Sequence, residues 1–145
     1  STDVENFHFI NDKYGYSLGN EILNMVYEEI AGAPFTIFTT RFFSDVFISI
    51  ADISDLTNDA FLSEIQALDR KICKRMRNTF HVNFFRTNSG ICLVPDADTT
   101  PETILSCANV ARRLSKKMLS PCCIYSDEIA RKKCRPRFST LFIRH

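Results

Sequence analysis

Residues 3–20 read DVENFHFINDKYGYSLGN, which is typical of a strand end followed by a turn and a helix. The stretch begins with carboxylates, and two spaced glycines, Gly15 and Gly19, mark the turn. Apolar residues at helical spacing then predict a helix from Ser17 to Ile30, and Gly32 lies just beyond its end. The stretch therefore predicts a strand–turn–helix unit with carboxylates where the strand ends.

Working outward, the pattern predicts that strands and helices alternate. Residues 35–40 and 46–50 are predicted to form a hairpin, and Thr57 is predicted to cap a long helix through Met76. The turn-rich tripeptide 88–90 predicts a second strand pair. The remaining predicted elements are strands 80–86, 91–94 and 122–125 and helices 100–118 and 126–133. We therefore expect an α/β fold with a mixed, mostly antiparallel central sheet flanked by helices.

Length, charge and cysteine spacing narrow the classes of function. A chain of 145 residues is expected to form a single domain. The formal net charge of +1 argues against nonspecific binding to nucleic acid or to acidic membranes. The six cysteines match neither a redox nor a zinc motif, so we expect reduced thiols and a cytoplasmic location. No apolar run approaches the roughly 18 residues of a membrane span, so no direct membrane contact is expected.

The stretch 3–20 resembles the opening motif of the GGDEF family, D-x-D-x-F-K-x-x-N-D-x-x-G-H-x-x-G-D. The residues that match, in register and without a gap, are Asp3, Phe7, Asn11, Asp12, Gly15 and Gly19. Residues 41–47 read RFFSDVF where the family has R-Y-G-G-[DE]-E-F. Residues 88–91 resemble its S-x-G-[IV] strand, and residues 108–116 its A-D-x-A-L-Y-x-A-K helix. The resemblance implies the fold of nucleotide cyclases and polymerase palms.

The resemblance also implies a chemistry. Active members of the family condense two GTP molecules into cyclic di-GMP. By resemblance, Mg²⁺ would be held by Asp3, the backbone carbonyl of Val4 and Asp45, since magnesium takes hard oxygen ligands. The positions that would contact the nucleotide are Asn11, Asn20, Phe43, Ser44 and Lys116.

Departures from the family pattern bear on activity. Phe43 and Ser44 replace two glycines that let the backbone approach the phosphates. Val46 replaces the second acidic residue, and valine can neither coordinate a metal nor accept a proton. Asn20 replaces an aspartate that accepts two hydrogen bonds from guanine, so selectivity for guanine should weaken. These changes together predict a catalytically inactive domain that acts as a regulatory or GTP-sensing module.

Other interpretations remain open at this point. The second hypothesis is an active diguanylate cyclase that tolerates these changes. The third is a protein-interaction or dimerisation domain, with Phe42 and Phe43 in its contact surface. Asp3 and Asp45 are either a surviving metal pair or only carboxylates at a strand end and in a turn. Asn11 either binds a base or bonds to its own backbone in a loop.

The two ends of the sequence carry further expectations. Residues 125–133 resemble the segment by which many GGDEF domains lead into a C-terminal EAL phosphodiesterase domain. Residues 126–145 are therefore expected to connect to such a domain. The expected partners are GTP, an EAL-type domain in the parent protein and a second copy of this domain. Only Ser1 and Thr2 precede Asp3, so we expect the family's central strand to be missing, with residues 138–143 filling its place.

Overall fold

The computed structural model describes residues 1–94 and 98–128 of the chain. The elements in these residues, in order, are β1 (Thr2–Val4), α1 (Phe7–Tyr14), α2 (Tyr16–Ala31), β2 (Thr36–Phe43), β3 (Val46–Ala51), α3 (Asn58–Phe80), β4 (Thr87–Ile91), α4 (Pro101–Lys117) and β5 (Cys122–Ile124). Among these helices, none is both long enough and apolar enough to cross a membrane.

The strands form one sheet in the order β2-β3-β1-β4-β5. The β2–β3, β3–β1 and β1–β4 pairs are antiparallel, and β4 pairs with β5 in parallel. The sheet confirms the predicted α/β fold with a mixed, mostly antiparallel sheet flanked by helices. Strand β2 lies at one edge of this sheet, and β1 lies in its centre.

The central position of the sheet is held by β1. Asp3 lies opposite Val46 of β3 on one side and opposite Asn88 of β4 on the other. This pairing corrects the expectation that a central strand is missing, because residues 2–4 themselves occupy that place. The segment 138–143 that was expected to fill it lies outside the described residues, as does most of the predicted helix 126–133.

Helices cover both faces of the sheet. The main core contains strand residues Val4 and Phe47 and helix residues Ile22, Ile72 and Met76, each at most 1% exposed. Successive residues of a strand point to opposite faces. Within β4, the Thr87 hydroxyl bonds to Asp69 of α3, whereas Gly90 faces the backbone of α4. Helices α3 and α4 therefore pack on opposite faces.

Most predicted elements are confirmed within a few residues, but the predictions for residues 7–14 and 80–94 are wrong. In place of the predicted strands 80–86 and 91–94, α3 extends to Phe80, residues 81–86 form no strand, and the single strand β4 covers Thr87–Ile91. Residues 7–14, predicted as part of a turn, form α1, in which Phe7 and Ile10 are buried on one side of the helix. The tripeptide 88–90, predicted as a turn between two strands, lies inside β4. Its residues are buried and paired on both edges, with β1 and with β5. Burial and pairing have here outweighed the local turn preference of Asn, Ser and Gly.

Thr57 caps α3, since its side chain accepts a hydrogen bond of 3.1 Å from the Ala60 backbone N–H. We expect Thr57→Ala to lower the free energy of unfolding by about 1 kcal/mol, because this donor loses its partner. Thr57→Ser keeps the hydroxyl and should have little effect. Urea unfolding followed by circular dichroism measures both variants. An equal loss in both would show that the hydroxyl is not the stabilising group.

Candidate functional site

Asp3 lies at the middle of the sheet, on the face covered by α4. Arg112 of α4 donates a hydrogen bond from Nη1 to Asp3 Oδ2, and both side chains are 15% exposed. The other carboxylate oxygen, Oδ1, is buried and has no hydrogen-bond partner, and the same holds for Arg112 Nε. The carboxylate that the sequence marked as a metal ligand is thus paired with a cation from the chain itself.

Burial controls the protonation of this carboxyl. Desolvation raises the pKa of the Asp3 carboxyl above its usual value, while the positive charges of Arg112 and Lys116 oppose the rise. The negative charge of Asp45 adds to the rise, which places Asp45 electrostatically close to Asp3. A buried carboxylate is stable as an ion only beside a cation, and Arg112 supplies that cation.

The turn between β2 and β3 holds Phe43, Ser44 and Asp45. Ser44 has a φ of 50°, in the left-handed region that favours glycine. Its carbonyl accepts a hydrogen bond of 2.5 Å from Arg41 Nε. The Phe43 side chain is 74% exposed. The turn therefore keeps a glycine-like backbone conformation at Ser44 and presents an aromatic ring beside it.

Asn11 and Asn20 come from α1 and α2, which meet at Gly15 with a φ of 86°. The Asn11 side-chain oxygen is buried without a hydrogen-bond partner. A Cβ on Gly19 would lie 2.0 Å from that oxygen, so Gly19 makes the room that the amide occupies. Asn20 is exposed. The amide oxygen of Asn11 is thus closed off from solvent against Gly19, and a ligand would reach this amide only after the side chain rotated outward.

Lys116 lies in the last turn of α4 and lines a cleft of about 330 Å³. Glu5 of the β1–α1 turn, Asn88 of β4 and Ser120 line the same cleft. Arg77 and Arg86 also line it, although neither was predicted as a site residue. They come from the end of α3 and from the segment before β4, so no motif or spacing connects them to Lys116. The lining also includes Asp69, so its three cations exceed its two carboxylates by a single charge.

The donor set around Asp3 does not fit the magnesium site that the resemblance implies. Within the described part of the chain, no cluster of three or more His, Cys, Asp or Glu side chains could hold a metal ion. Val46 lies directly opposite Asp3 and supplies no side-chain oxygen. A guanidinium in contact with the carboxylate repels a divalent cation at the same oxygens.

The cysteines do not offer an alternative chemistry. Five cysteines lie within the described residues, and none of these five is paired in a disulfide: Cys73, Cys92, Cys107, Cys122 and Cys123. Burial raises the pKa of Cys73 and of Cys122 to about 11. Because the thiolate is the nucleophile, these two thiols are unreactive at neutral pH.

Similar solved structures share this fold. The active GGEEF domain of a diguanylate cyclase from Vibrio cholerae is 17% identical, with a TM-score of 0.71 over 87% of this chain and 80% of that one. The GGDEF domain of DgcB from Caulobacter crescentus in complex with c-di-GMP is 17% identical, with a TM-score of 0.63 over 88% and 75%. An EAL/GGDEF domain protein from M. capsulatus is 22% identical, with a TM-score of 0.63 over 86% and 81%.

The family follows from the sequence match. Among the curated proteins, none matches the chain. The family model described as diguanylate cyclase, GGDEF domain, matches residues 1–119, which is most of the chain. The match includes the 3–20 stretch, the hairpin turn and the α4 helix that carries Arg112 and Lys116. The chain therefore belongs to the GGDEF family of diguanylate cyclase domains.

Proposed function

We propose that this GGDEF domain of cyclic di-GMP signalling makes no cyclic di-GMP and acts as a regulatory or GTP-sensing module. The observation that carries the proposal is the environment of Asp3. Its strand neighbours are Val46 and Asn88, and its charge is paired with Arg112. Joining two nucleotides requires that triphosphate charge is neutralised and that a hydroxyl loses its proton. Neither Val46 nor a carboxylate paired with arginine serves those steps.

The hairpin turn supports the same proposal. A nucleotide phosphate is best approached by backbone N–H groups, and glycine lets them come close. Phe43 instead presents a largely exposed ring at this turn, and Ser44 holds the positive φ with a side chain attached. At residues 43 and 44 a phosphate would therefore meet side chains instead of the open backbone that two glycines provide.

Groups suited to nucleotide contact nevertheless remain. Asn11 has an unpaired amide oxygen, and Lys116 lies in a cleft with Arg77 and Arg86. In the proposed role, Asn11 and Asn20 face the guanine base, and Lys116 meets the terminal phosphates. Any Mg²⁺ would come with the phosphate oxygens of the nucleotide itself, since those are hard ligands that magnesium prefers. Weak GTP binding without turnover is the behaviour that these groups favour.

A second candidate function is protein interaction or dimerisation, and the β2–β3 hairpin favours it. Five large apolar side chains of this hairpin are each more than half exposed: Ile37, Phe38, Phe42, Phe43 and Ile50. Strand β2 is also an edge strand, which leaves backbone groups available for pairing. An EAL-type neighbour in the parent protein or a second copy of the domain would be the partner. Loss of self-association in Phe43→Asp would favour this candidate.

Calorimetry with GTP and Mg²⁺, followed by an assay for cyclic di-GMP in the same sample, tests the proposed function. We expect weak GTP binding and no product. Asn11→Ala should weaken binding by about tenfold, the effect of losing one hydrogen bond to the base. Asn24→Ala removes an exposed amide from α2 and serves as the matched control, with unchanged binding.

The possible outcomes separate the candidates. Formation of cyclic di-GMP would refute the proposed function and restore the active enzyme. Binding that is equally weakened in Asn11→Ala and Asn24→Ala would show that Asn11 does not contact the base. Absence of any GTP binding would refute the GTP-sensing role and leave the interaction surface of the hairpin as the remaining candidate.

A further inference from the structure

Arg112 is held in place by the packing of α4 on the sheet. Gly90 of β4 lies directly beneath α4, and a Cβ there would meet the Ala108 carbonyl oxygen at 2.0 Å and the Arg112 backbone nitrogen at 2.2 Å. The backbone of Arg112 therefore lies against β4, and its side chain reaches the neighbouring strand β1. The side chain ends on Asp3, with both partners 15% exposed.

Residue 112 departs from the family pattern, because it is charged where the pattern has an apolar residue. In the pattern A-D-x-A-L-Y-x-A-K, which residues 108–116 resemble, Arg112 stands at the position of the leucine. An arginine at that place adds a charge that cannot be removed, because a guanidinium stays protonated at every physiological pH. The charge is fixed next to Asp3, the carboxylate of β1, whose side chain is 15% exposed.

We infer that the Arg112 guanidinium is the permanent counter-ion of Asp3 and takes the place that a divalent metal has in the family. A divalent ion at Asp3 would have to displace a cation that is tethered to the fold and therefore always present at the site. After displacement, the guanidinium would stay close to the ion and repel it. Oδ1 of Asp3 remains buried and unpaired, but a single oxygen is a poor site for an ion that needs six or more ligands.

This inference deepens the proposed function and rests on it, because a domain that makes no product has no need of a metal at Asp3. The inference predicts that the protein itself neutralises the negative charge of Asp3, so that no bound ion is needed there. The nearby Lys116 adds to the positive potential at the same carboxylate. Asp3 and Arg112 thus connect the central strand to α4.

Mn²⁺ binding, followed by the electron paramagnetic resonance signal of the free ion, tests the inference on the full chain without nucleotide. We expect the unmodified chain and Asp3→Asn to bind Mn²⁺ equally poorly. Arg112→Leu should gain a site that binds Mn²⁺ about tenfold more tightly than the unmodified chain does, because the repulsion by the guanidinium is removed. That gain should vanish in the double variant Arg112→Leu/Asp3→Asn. Arg113→Leu removes the same charge from the adjacent, exposed position of α4 and should gain nothing.

Two results would overturn the inference. One is Mn²⁺ binding by the unmodified chain that Asp3→Asn removes, and the other is a folded Arg112→Leu variant without a new site. If Arg112→Leu does not fold, the Nε–Hε resonance of Arg112 in the unmodified chain decides. It should not move when millimolar Mg²⁺ is added, and a shift that saturates with Mg²⁺ would refute the inference. If the chain bound metal at Asp3 but made no cyclic di-GMP from GTP, this inference would fail while the proposed function would stand. The two failures can therefore be distinguished.

Discussion

Gly90→Ala is expected to lower the free energy of unfolding by about 3 kcal/mol or more, at the upper end of what overpacking costs. The added methyl group would lie 2.0 Å from the Ala108 carbonyl oxygen and 2.2 Å from the Arg112 nitrogen. Both are backbone atoms of α4, which cannot rotate away as the end of a side chain could. The whole helix must therefore move off β4. Guanidinium chloride unfolding followed by circular dichroism measures the loss.

Gly32→Ala provides the matched control. Gly32 ends α2 with a φ of −82°, which any residue adopts, and its Cβ would meet only the Glu28 carbonyl oxygen at 3.1 Å. Alanine there also reduces the entropy of the unfolded chain, so we expect a change of less than about 1 kcal/mol. Similar losses in the two variants would contradict the explanation, because a general cost of removing glycine would then account for both.

Gly90 also shows what the sequence could predict about the fold and where it could not. Its tripeptide, Asn88-Ser-Gly90, has the composition of a turn, and local composition predicted one there. Resemblance to the family's S-x-G-[IV] strand indicated the opposite, and the structure places these residues in β4. The difference arises because the place of β4 between β1 and β5 is a tertiary property. Local propensity carries no information on it.

The candidate site, too, could be predicted from the sequence only in part. Resemblance marked Asp3 and Lys116, and both lie at the site described above. The partner of Asp3, Arg112, is 109 residues further along the chain, and no spacing rule relates the two. In the sequence, nothing sets Arg112 apart from Arg113, Lys116 and Lys117, the other basic residues of the same helix. Only the antiparallel pairing of β1 with β4, and the packing of α4 on Gly90, bring the arginine to the carboxylate.

A second ion-pair network lies between α2 and α3, and it involves a buried acid. Glu29 of α2 is 7% exposed. Lys71 Nζ lies 2.6 Å from its Oε2, and Arg75 Nη1 lies 2.8 Å from its Oε1. Burial acts to raise the pKa of the Glu29 carboxyl, but the hydrogen bonds and charges of Lys71 and Arg75 outweigh it and lower that pKa below its usual value. The two cations are more exposed than the acid that they neutralise.

Removing both cations, in Lys71→Met/Arg75→Met, is expected to lower the free energy of unfolding by about 3 kcal/mol at neutral pH. The loss arises because Glu29 would stay buried with an uncompensated charge. The methionines keep most of the apolar stems, so little packing is lost. Lys74→Met/Arg70→Met makes the same change of charge at exposed positions of α3 and should shift stability by less than about 0.5 kcal/mol. Denaturant unfolding of both double variants gives the comparison.

The pH dependence of this loss identifies its cause. A carboxyl whose pKa is lowered by folding contributes stability above its unfolded pKa, and that stability disappears as the pH falls through the lower folded pKa. Glu29 is alike in the two unfolded chains, so the difference between the unmodified chain and Lys71→Met/Arg75→Met follows the two folded-state pKa values, one below the usual 4.5 and one above it. The difference should be largest at neutral pH and shrink as the pH falls from the raised pKa of the variant to the lowered pKa of the unmodified chain. In the variant, burial without a cation raises the pKa of Glu29, so its protonation on acidification relieves the buried charge. A loss that stays constant down to acid pH would mean that the lysine and arginine stabilise the helices by packing alone.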